Sequence, residues 1–432
     1  MKKLFFLLAA VLLATAQLYS QWVQQPSPTT NGLEDVFFIN SSTGFISGGS
    51  GLIMKTTNAG ENWVIQPTPV TIYVNGIYFL DLNTGIAVCG NYTNNNSAIL
   101  KTTNGGTNWV TKFTNTRIAL RQTIQFINPN TGYTAGWSQN DSALVKTTNG
   151  GETWQRVYVS GMIGIDKINF IDENTGYMVG YGMDSKPSVA KTTNGGLNWT
   201  KIYSHSNAIM YMSMCFINLN TGWVVGINSM NRSLIQKTTN AGVNWVDQVN
   251  QHPANWELYN IAMINENTGW IIGDAGQIAK TTNGGTNWRA QVNSGYWWGI
   301  DMVSSDTGWI VGEGGVILKT VNGGGPVSVQ NISTEVPSAY SLSQNYPNPF
   351  NPVTKIKFSI PSLSSPNVSI GDPVVLKVFD ITGREVQTLV NERLQPGTYE
   401  TTFDGSSLNS GVYFYKLSTG DFSETKKMLM IK

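Results

Sequence analysis

The sequence predicts an all-β chain: a seven-bladed β-propeller closed by an N-terminal strand, followed by a small C-terminal antiparallel β-sandwich of immunoglobulin-like type. Three observations carry this. The motif KTTNGGTNW and its variants start at Lys55, Lys101, Lys146, Lys191, Lys237 and Lys280, and a shortened copy, KTVNGGG, starts at Lys319. Neighbouring copies lie 39 to 46 residues apart, and a period of about 40 to 45 with short strands gives one propeller blade per repeat. The segment Trp22-Val-Gln-Gln-Pro also matches the one at Trp63, so the start of the chain holds the tryptophan strand that the seventh copy lacks. Beyond residue 340 the period gives way to short alternating runs with Asp-Gly, Thr-Gly and Pro-Gly turns, the pattern of a sandwich.

In chain order, Lys2 and Lys3 precede an apolar run over residues 4–14 and then small and polar residues, which reads as a secretory signal over residues 1–20. Cleavage after Ala16 fits an A-x-A site and cleavage after Ser20 would leave Gln21 first; the sequence leaves both open. No other segment reaches the ~18 apolar residues of a membrane span. The propeller is expected over residues 21–325. Within each repeat, Phe38, Phe79, Phe126, Phe170, Phe216, Met263 and Met302 open segments such as FINPNTGY, where apolar alternation ends in a tight turn and an aromatic. Each blade thus reads as strand A, the NTG turn, strand B, a loop, strand C, the TTNGG turn and strand D. Asn beside Gly supplies the turn chemistry. Trp22, Trp63, Trp109, Trp154, Trp199, Trp245 and Trp288 are its structural anchors, read as wedges between blades, with sugar-stacking platforms as the alternative. Burying ~150–250 Å² of indole contributes roughly 4–6 kcal/mol gross per copy.

Strand direction alternates in a meander, so the NTG and TTNGG turns share one face of the disc and the B–C and D–A connections share the other. Variation collects on that second face. The B–C loops are long in the second to fifth blades, as in NYTNNNSA from Asn91, and shrink to turns such as GDAG at Gly273 elsewhere. Aromatics beside arginines in loops have binding-surface composition, which makes Arg117, Arg121, Tyr211, Trp256, Tyr296, Trp297 and Trp298 the ligand-binding candidates. The alternative is that these side chains plug the channel or pack between blades. Residues 326–339, rich in Gly, Pro, Ser and Val without a period, read as a linker.

The repeat resembles the Asp-box of sialidases and sortilin-like proteins, with Asn in place of Asp, and is most similar to the seven-bladed propellers related to the photosystem II assembly factor. Over residues 340–432, the motif Tyr346, Pro347, Asn348, Pro349, Phe350 and Asn351, the turn glycine Gly383, Gly411 with Tyr413, and the basic-then-apolar tail from Lys426 resemble the type A sorting domain of the type IX secretion system. That resemblance implies export through the inner membrane by the signal peptide, then across the outer membrane by the type IX machinery. The protein is then expected outside the cell or at its surface. An intracellular assembly role fits such a route poorly.

Composition narrows the chemistry. A net charge of +1 gives no electrostatic footprint for nucleic acid. Cys89 and Cys215 sit three blades apart and read as small buried hydrophobes, not as a disulfide. His205 and His252 lack Cys or His neighbours at ligand spacing, so no metal or cofactor is expected. No catalytic motif is present. The expectation is a non-catalytic module binding a glycan or a protein. The rival is a glycoside hydrolase of sialidase or xyloglucanase type, which needs two carboxylates across a cleft and could draw on Asp141, Asp166, Asp184, Glu257 or Asp301. A sialidase would also need an arginine cluster, whereas Arg117, Arg121, Arg156, Arg232 and Arg289 are scattered over several blades.

Overall fold

The computed structural model describes residues 22–432 except 92, 94, 139–142, 206, 231, 249–256, 287, 292–293, 325–328, 334–335, 362–373, 393, 395, 406–407 and 421. The signal segment, Asp141, His252 and Trp256 lie outside the described residues. The chain divides into two compact units, one over Ser20–Gly324 and one that includes Gly325–Lys432.

The first unit is built from seven antiparallel meanders of four strands. Their A strands are Leu33–Phe38, Val74–Phe79, Ile118–Phe126, Met162–Phe170, Ala208–Phe216, Leu258–Met263 and Trp297–Met302. Each A strand packs against those of the two neighbouring blades, so the seven together line the axis. The seventh blade is completed from the start of the chain. Val23, Gln24 and Gln25 pair antiparallel with Lys319, Leu318 and Ile317. Trp22 is buried beside them and donates its indole N–H to Gln291 Oε1 at 2.9 Å. The third and fourth blades are additionally joined by one pair, Trp137 with Gly164.

The turns form as the repeat dictates. In the second blade Thr102 Oγ1 accepts the Asn104 and Gly106 amides, while Asn104 Oδ1 accepts the Asn108 amide at 2.9 Å. The carboxamide thus performs the work of the Asp-box carboxylate without a charge. The Gly105 amide donates to Asn83 O of the NTG turn at 2.9 Å, which ties both turns of the blade to one face. Gly106 has φ of 87°, and a Cβ there would come within 2.8 Å of the Phe45 ring of the first blade.

That contact belongs to a seam that recurs around the ring. The aromatic that starts strand B lies opposite the lysine that ends strand C: Phe45 pairs with Lys55, Trp223 with Lys237 and Trp270 with Lys280. The ammonium sits over the ring, at 4.8 Å from the centroid for Lys237 and Trp223. Both then reach the TTNGG turn of the next blade. Lys237 Nζ and Trp223 Nε1 donate to Gly284 O at 2.9 and 3.2 Å, and Lys55 Nζ donates to Gly105 O at 2.8 Å. In the second blade Ile86 replaces the aromatic, and Lys101 holds both Gly150 O and the Glu152 carboxylate. The same aromatics stack on the phenylalanine of the next A strand, as with Tyr177 on Phe216 at 3.7 Å and Trp309 on Phe38 at 3.4 Å across the closing seam. The repeat tryptophan meets that phenylalanine edge-on within its own blade, as with Trp109 on Phe79. The repeat tryptophan and the strand B aromatic of the preceding blade thus fill the seam together: Trp63 shares a core cluster with Trp309, Trp109 with Phe45 and Trp288 with Trp223.

The second unit consists of two four-stranded antiparallel sheets sharing one hydrophobic core, which includes Phe350, Phe358, Leu376, Tyr415 and Met428. Phe350 is buried, and its amide and carbonyl bond to Leu429 O and the Ile431 amide. Asn348 Oδ1 accepts the Leu429 amide at 2.9 Å, so the Pro-Asn-Pro-Phe segment is stitched to the C-terminal strand Phe422–Met430. Tyr346 and Asn351 are exposed and Pro347 O accepts from Thr354 and Asn345. Pro349 follows a cis peptide bond, Gly383 turns the chain at a φ of 82°, and Gly411 starts the strand in which Tyr413 is buried and donates to Asn409 O. One expectation is corrected here. The linker read over residues 326–339 contains the strand Val329–Ser333, which pairs with Gly397–Asp404 at a sheet edge. Such an edge is held by backbone bonds, which leave little periodic trace in a sequence.

Two outcomes are expected. Trp22→Ala should lower the stability of the full chain by about 3–5 kcal/mol in urea denaturation, and an unchanged midpoint would exclude the N-terminal strand as the closure. Lys237→Met, which keeps the apolar stem, should cost about 1–3 kcal/mol, read as a lowered melting temperature.

Candidate functional site

Every A strand carries an irregularity at the same distance before its last residue. The register with strand B shifts between Leu33 and Asp35, Val74 and Gly76, Leu120 and Ile124, Ile165 and Lys167, Tyr211 and Ser213, Leu258 and Asn260, and Trp297 and Gly299. A bulge of this kind re-aims one side chain. The residues concerned are Glu34, Asn75, Gln122, Asp166, Met212, Tyr259 and Trp298. All except Asn75 line a single cavity of about 310 Å³. Asn75 turns instead into the seam with the third blade, where its amide donates to Leu120 O at 2.7 Å and Gly90 O at 3.2 Å.

Gln122 spans the axis: its amide donates to Glu34 O, to Asp35 Oδ1 at 3.3 Å and to Trp298 O at 3.3 Å. Asn260 Nδ2 donates to the same Trp298 carbonyl, and Ser213 donates to Asn260 Oδ1 at 2.9 Å. Five blades, the first, third, fifth, sixth and seventh, are thereby tied across the channel. Arg121, beside Gln122, places Nε 3.6 Å from Asp166 Oδ1 and lies over the Trp137 ring at 5.3 Å. Trp137 Nε1 donates to the same Asp166 oxygen at 2.8 Å.

Electrostatics at the site follow from depth. Burial, helped by repulsion from Asp35 and opposed by Arg121, pushes the Glu34 carboxyl up to about 7. Its side chain stays half-open to the cavity, so the shift reflects protein on most sides and not complete removal from water. Burial raises Asp35 and Asp166 to about 6 each; Lys167 opposes the first shift and Arg121 the second. Burial also lowers Lys167 and raises Tyr259.

The sequence candidates separate cleanly. Arg121 and Trp298 line the cavity. Arg117 lies apart from it, in a shallow depression with Arg156. Tyr296 is exposed in the loop leading to Trp297. Tyr211 and Trp297 are core residues: Tyr211 is fully buried with its hydroxyl on Gln236 Oε1 at 2.7 Å, and Trp297 is 1% exposed among Trp22, Trp270 and Ile300. They are corrected from ligand-binding candidates to packing residues, because alternation along the A strand turns each inward beside its outward-aimed bulge neighbour. Among the carboxylates, only Asp166 of those singled out lines the cavity. Asp301 is spent on the Phe38 amide at 2.6 Å across the closing seam, and Asp184 on Lys201 at the surface. Cys89 and Cys215 are free thiols.

Glu34, Gln122, Lys167, Met212, Ser213 and Tyr259 were not among the sequence candidates. The signal was present: each bulge residue sits four positions before the residue that opens the NTG segment, at 38, 79, 126, 170, 216, 263 and 302. Stacking the repeats on those positions gives a column of Glu, Asn, Gln, Asp, Met, Tyr and Trp, while the frame around it repeats.

Residues 161–296 and 253–346 match the family described as Photosynthesis system II assembly factor YCF48. Residues 344–432 match the secretion system C-terminal sorting domain. No curated protein matches the chain. The solved structure of YCF48 bound to D1 peptide superposes at a TM-score of 0.56 and 20% identity, over 72% of this chain and 100% of that one. YCF48 from Cyanidioschyzon merolae does so at 0.54 and 17%, over 70% and 98%. These likenesses establish the propeller fold.

The raised Glu34 carboxyl has a measurable consequence. The folded chain holds that proton more tightly than the unfolded chain does, so folding is favoured below about 4.5 and this contribution is lost as pH rises towards about 7. Relative to Glu34→Gln, the wild type should lose up to about 3 kcal/mol of stability over that interval, measured by urea denaturation at successive pH values.

Proposed function

We infer that the chain, which joins a propeller resembling the YCF48 assembly factors to a secretion system sorting domain, is exported through the type IX machinery to the cell surface or extracellular space. From that premise, we propose that the propeller is a non-catalytic binding module and that a segment of a partner protein seats in the axial cavity. The observation that carries this reading is the column of bulge residues. Six blades each aim a different side chain, acidic, polar, apolar or aromatic, at one space, a composition suited to recognition. The fold relative bound to D1 peptide supports a polypeptide ligand for this architecture.

A second reading, hydrolysis of a glycoside, is favoured by one observation: Glu34 and Asp166 line the same cavity, and both are held above the usual carboxylate range by burial. Against it, Asp166 is engaged by Trp137 and Arg121, an arrangement that fixes a carboxylate more than it frees one for proton transfer.

Pull-down of surface proteins with the full mature chain should retain a partner that Trp298→Ala loses and Tyr158→Ala, an exposed change outside the cavity lining, keeps. Chromogenic glycosides should remain uncleaved. Turnover abolished by Glu34→Gln would replace the binding reading with the hydrolase.

A further inference from the structure

The cavity holds more acceptor capacity than its own cations use. Three carboxyls gather at it, Glu34 and Asp35 from the first blade and Asp166 from the fourth. Asp35 is satisfied by the Val36 and Ile77 amides and by Gln122. Lys167 donates to Gln122 O at 3.4 Å and faces Asp35, and Arg121 is committed to Asp166 and the Trp137 ring. Two acceptors remain. The Glu34 carboxylate has no hydrogen bond or ion pair among the described residues. Asp166 is 7% exposed, lines the cavity and leaves Oδ2 without a hydrogen-bond partner. A buried acceptor left unmade carries a desolvation penalty that a donor from outside would relieve.

The remaining walls suit the same visitor. Trp298 and Tyr259 line the cavity, and aromatic faces attract cations that have shed their water. A volume of about 310 Å³ is at the lower end of ligand sites and fits one long side chain better than an oligosaccharide. Resting on the binding reading above, we propose that the axial cavity admits one cationic side chain, the guanidinium or ammonium of an arginine or lysine on the partner segment. The Glu34 carboxylate and Asp166 Oδ2 accept its hydrogen bonds, and Trp298 and Tyr259 flank it.

The charge of Glu34 is set by burial, then by Asp35 on its own strand and Arg121 from the third blade; the other titratable groups about the site are Asp166 and Lys167 from the fourth blade, Tyr259 from the sixth, and Asp301 from the seventh, which faces Asp35. The carboxyls among these that are raised by burial ionise only as pH approaches neutrality. Cation binding should therefore strengthen as pH rises.

The test is calorimetric titration of the full mature chain with N-acetyl-arginine amide, its neutral isostere N-acetyl-citrulline amide and the anionic N-acetyl-glutamate amide. The arginine probe should bind roughly tenfold or more tightly than the citrulline probe at about pH 8, and should weaken about tenfold at about pH 5. Glu34→Gln, close to isosteric, should remove that preference, and so should Asp166→Asn. Equal affinity for the arginine and citrulline probes, or an unchanged preference in Glu34→Gln, overturns the proposal. If the neutral or anionic probe binds best and Trp298→Leu abolishes it, the cation fails while the cavity stands as the site. If no probe binds, the cation fails, and the partner pull-down judges the cavity separately.

Discussion

The interaction on which the propeller depends is the grip of one blade on the turn of the next. A lysine at the end of strand C lies over the aromatic at the start of strand B, and both address a carbonyl in the neighbouring TTNGG turn. A sheet twists, and twisted sheets packed face to face slide unless something fixes their offset. Here the offset is fixed by directed bonds to one backbone oxygen, repeated from blade to blade. The ammonium loses some hydration, and burial lowers Lys146, Lys237 and Lys319 accordingly. The ring face and the carbonyl offset that loss.

Because this grip lies on the turn face, the other end of each A strand is released from it. The bulges form at that end, and a bulge uncouples one side chain from the alternation of its strand. The frame can stay constant while the column at the axis changes from Glu to Trp. Asn75 marks the boundary between the two regimes: it occupies the variable column yet bonds into a seam, so its blade gives a side chain to scaffold that the other six give to the cavity.

The extent to which the sequence disclosed this differs by level. Blade number, strand order, the shared face of the two turns and the strand from Trp22 were all legible, because a repeat of seven near-identical units displays its own period and its own missing piece. The C-terminal sandwich was legible from ordered motifs, apart from the edge strand Val329–Ser333. The site was only partly legible. Arg121 and Trp298 were found as aromatic or basic residues near loops, yet the same reasoning also selected Tyr211 and Trp297, which a strand turns into the core. Composition cannot tell these apart, since the bulge that separates Trp297 from Trp298 is a one-residue shift of register. Asp301 shows the converse: an acid on the A strand reads as a candidate for chemistry until a neighbouring backbone amide claims it.

Pairing Val23 with Lys319 joins residues almost three hundred positions apart. Any shorter product that ends before the seventh blade is an open arc with two raw sheet flanks. The ring therefore has no half-built version with sealed sides, and its last seam waits for nearly the whole module to be present.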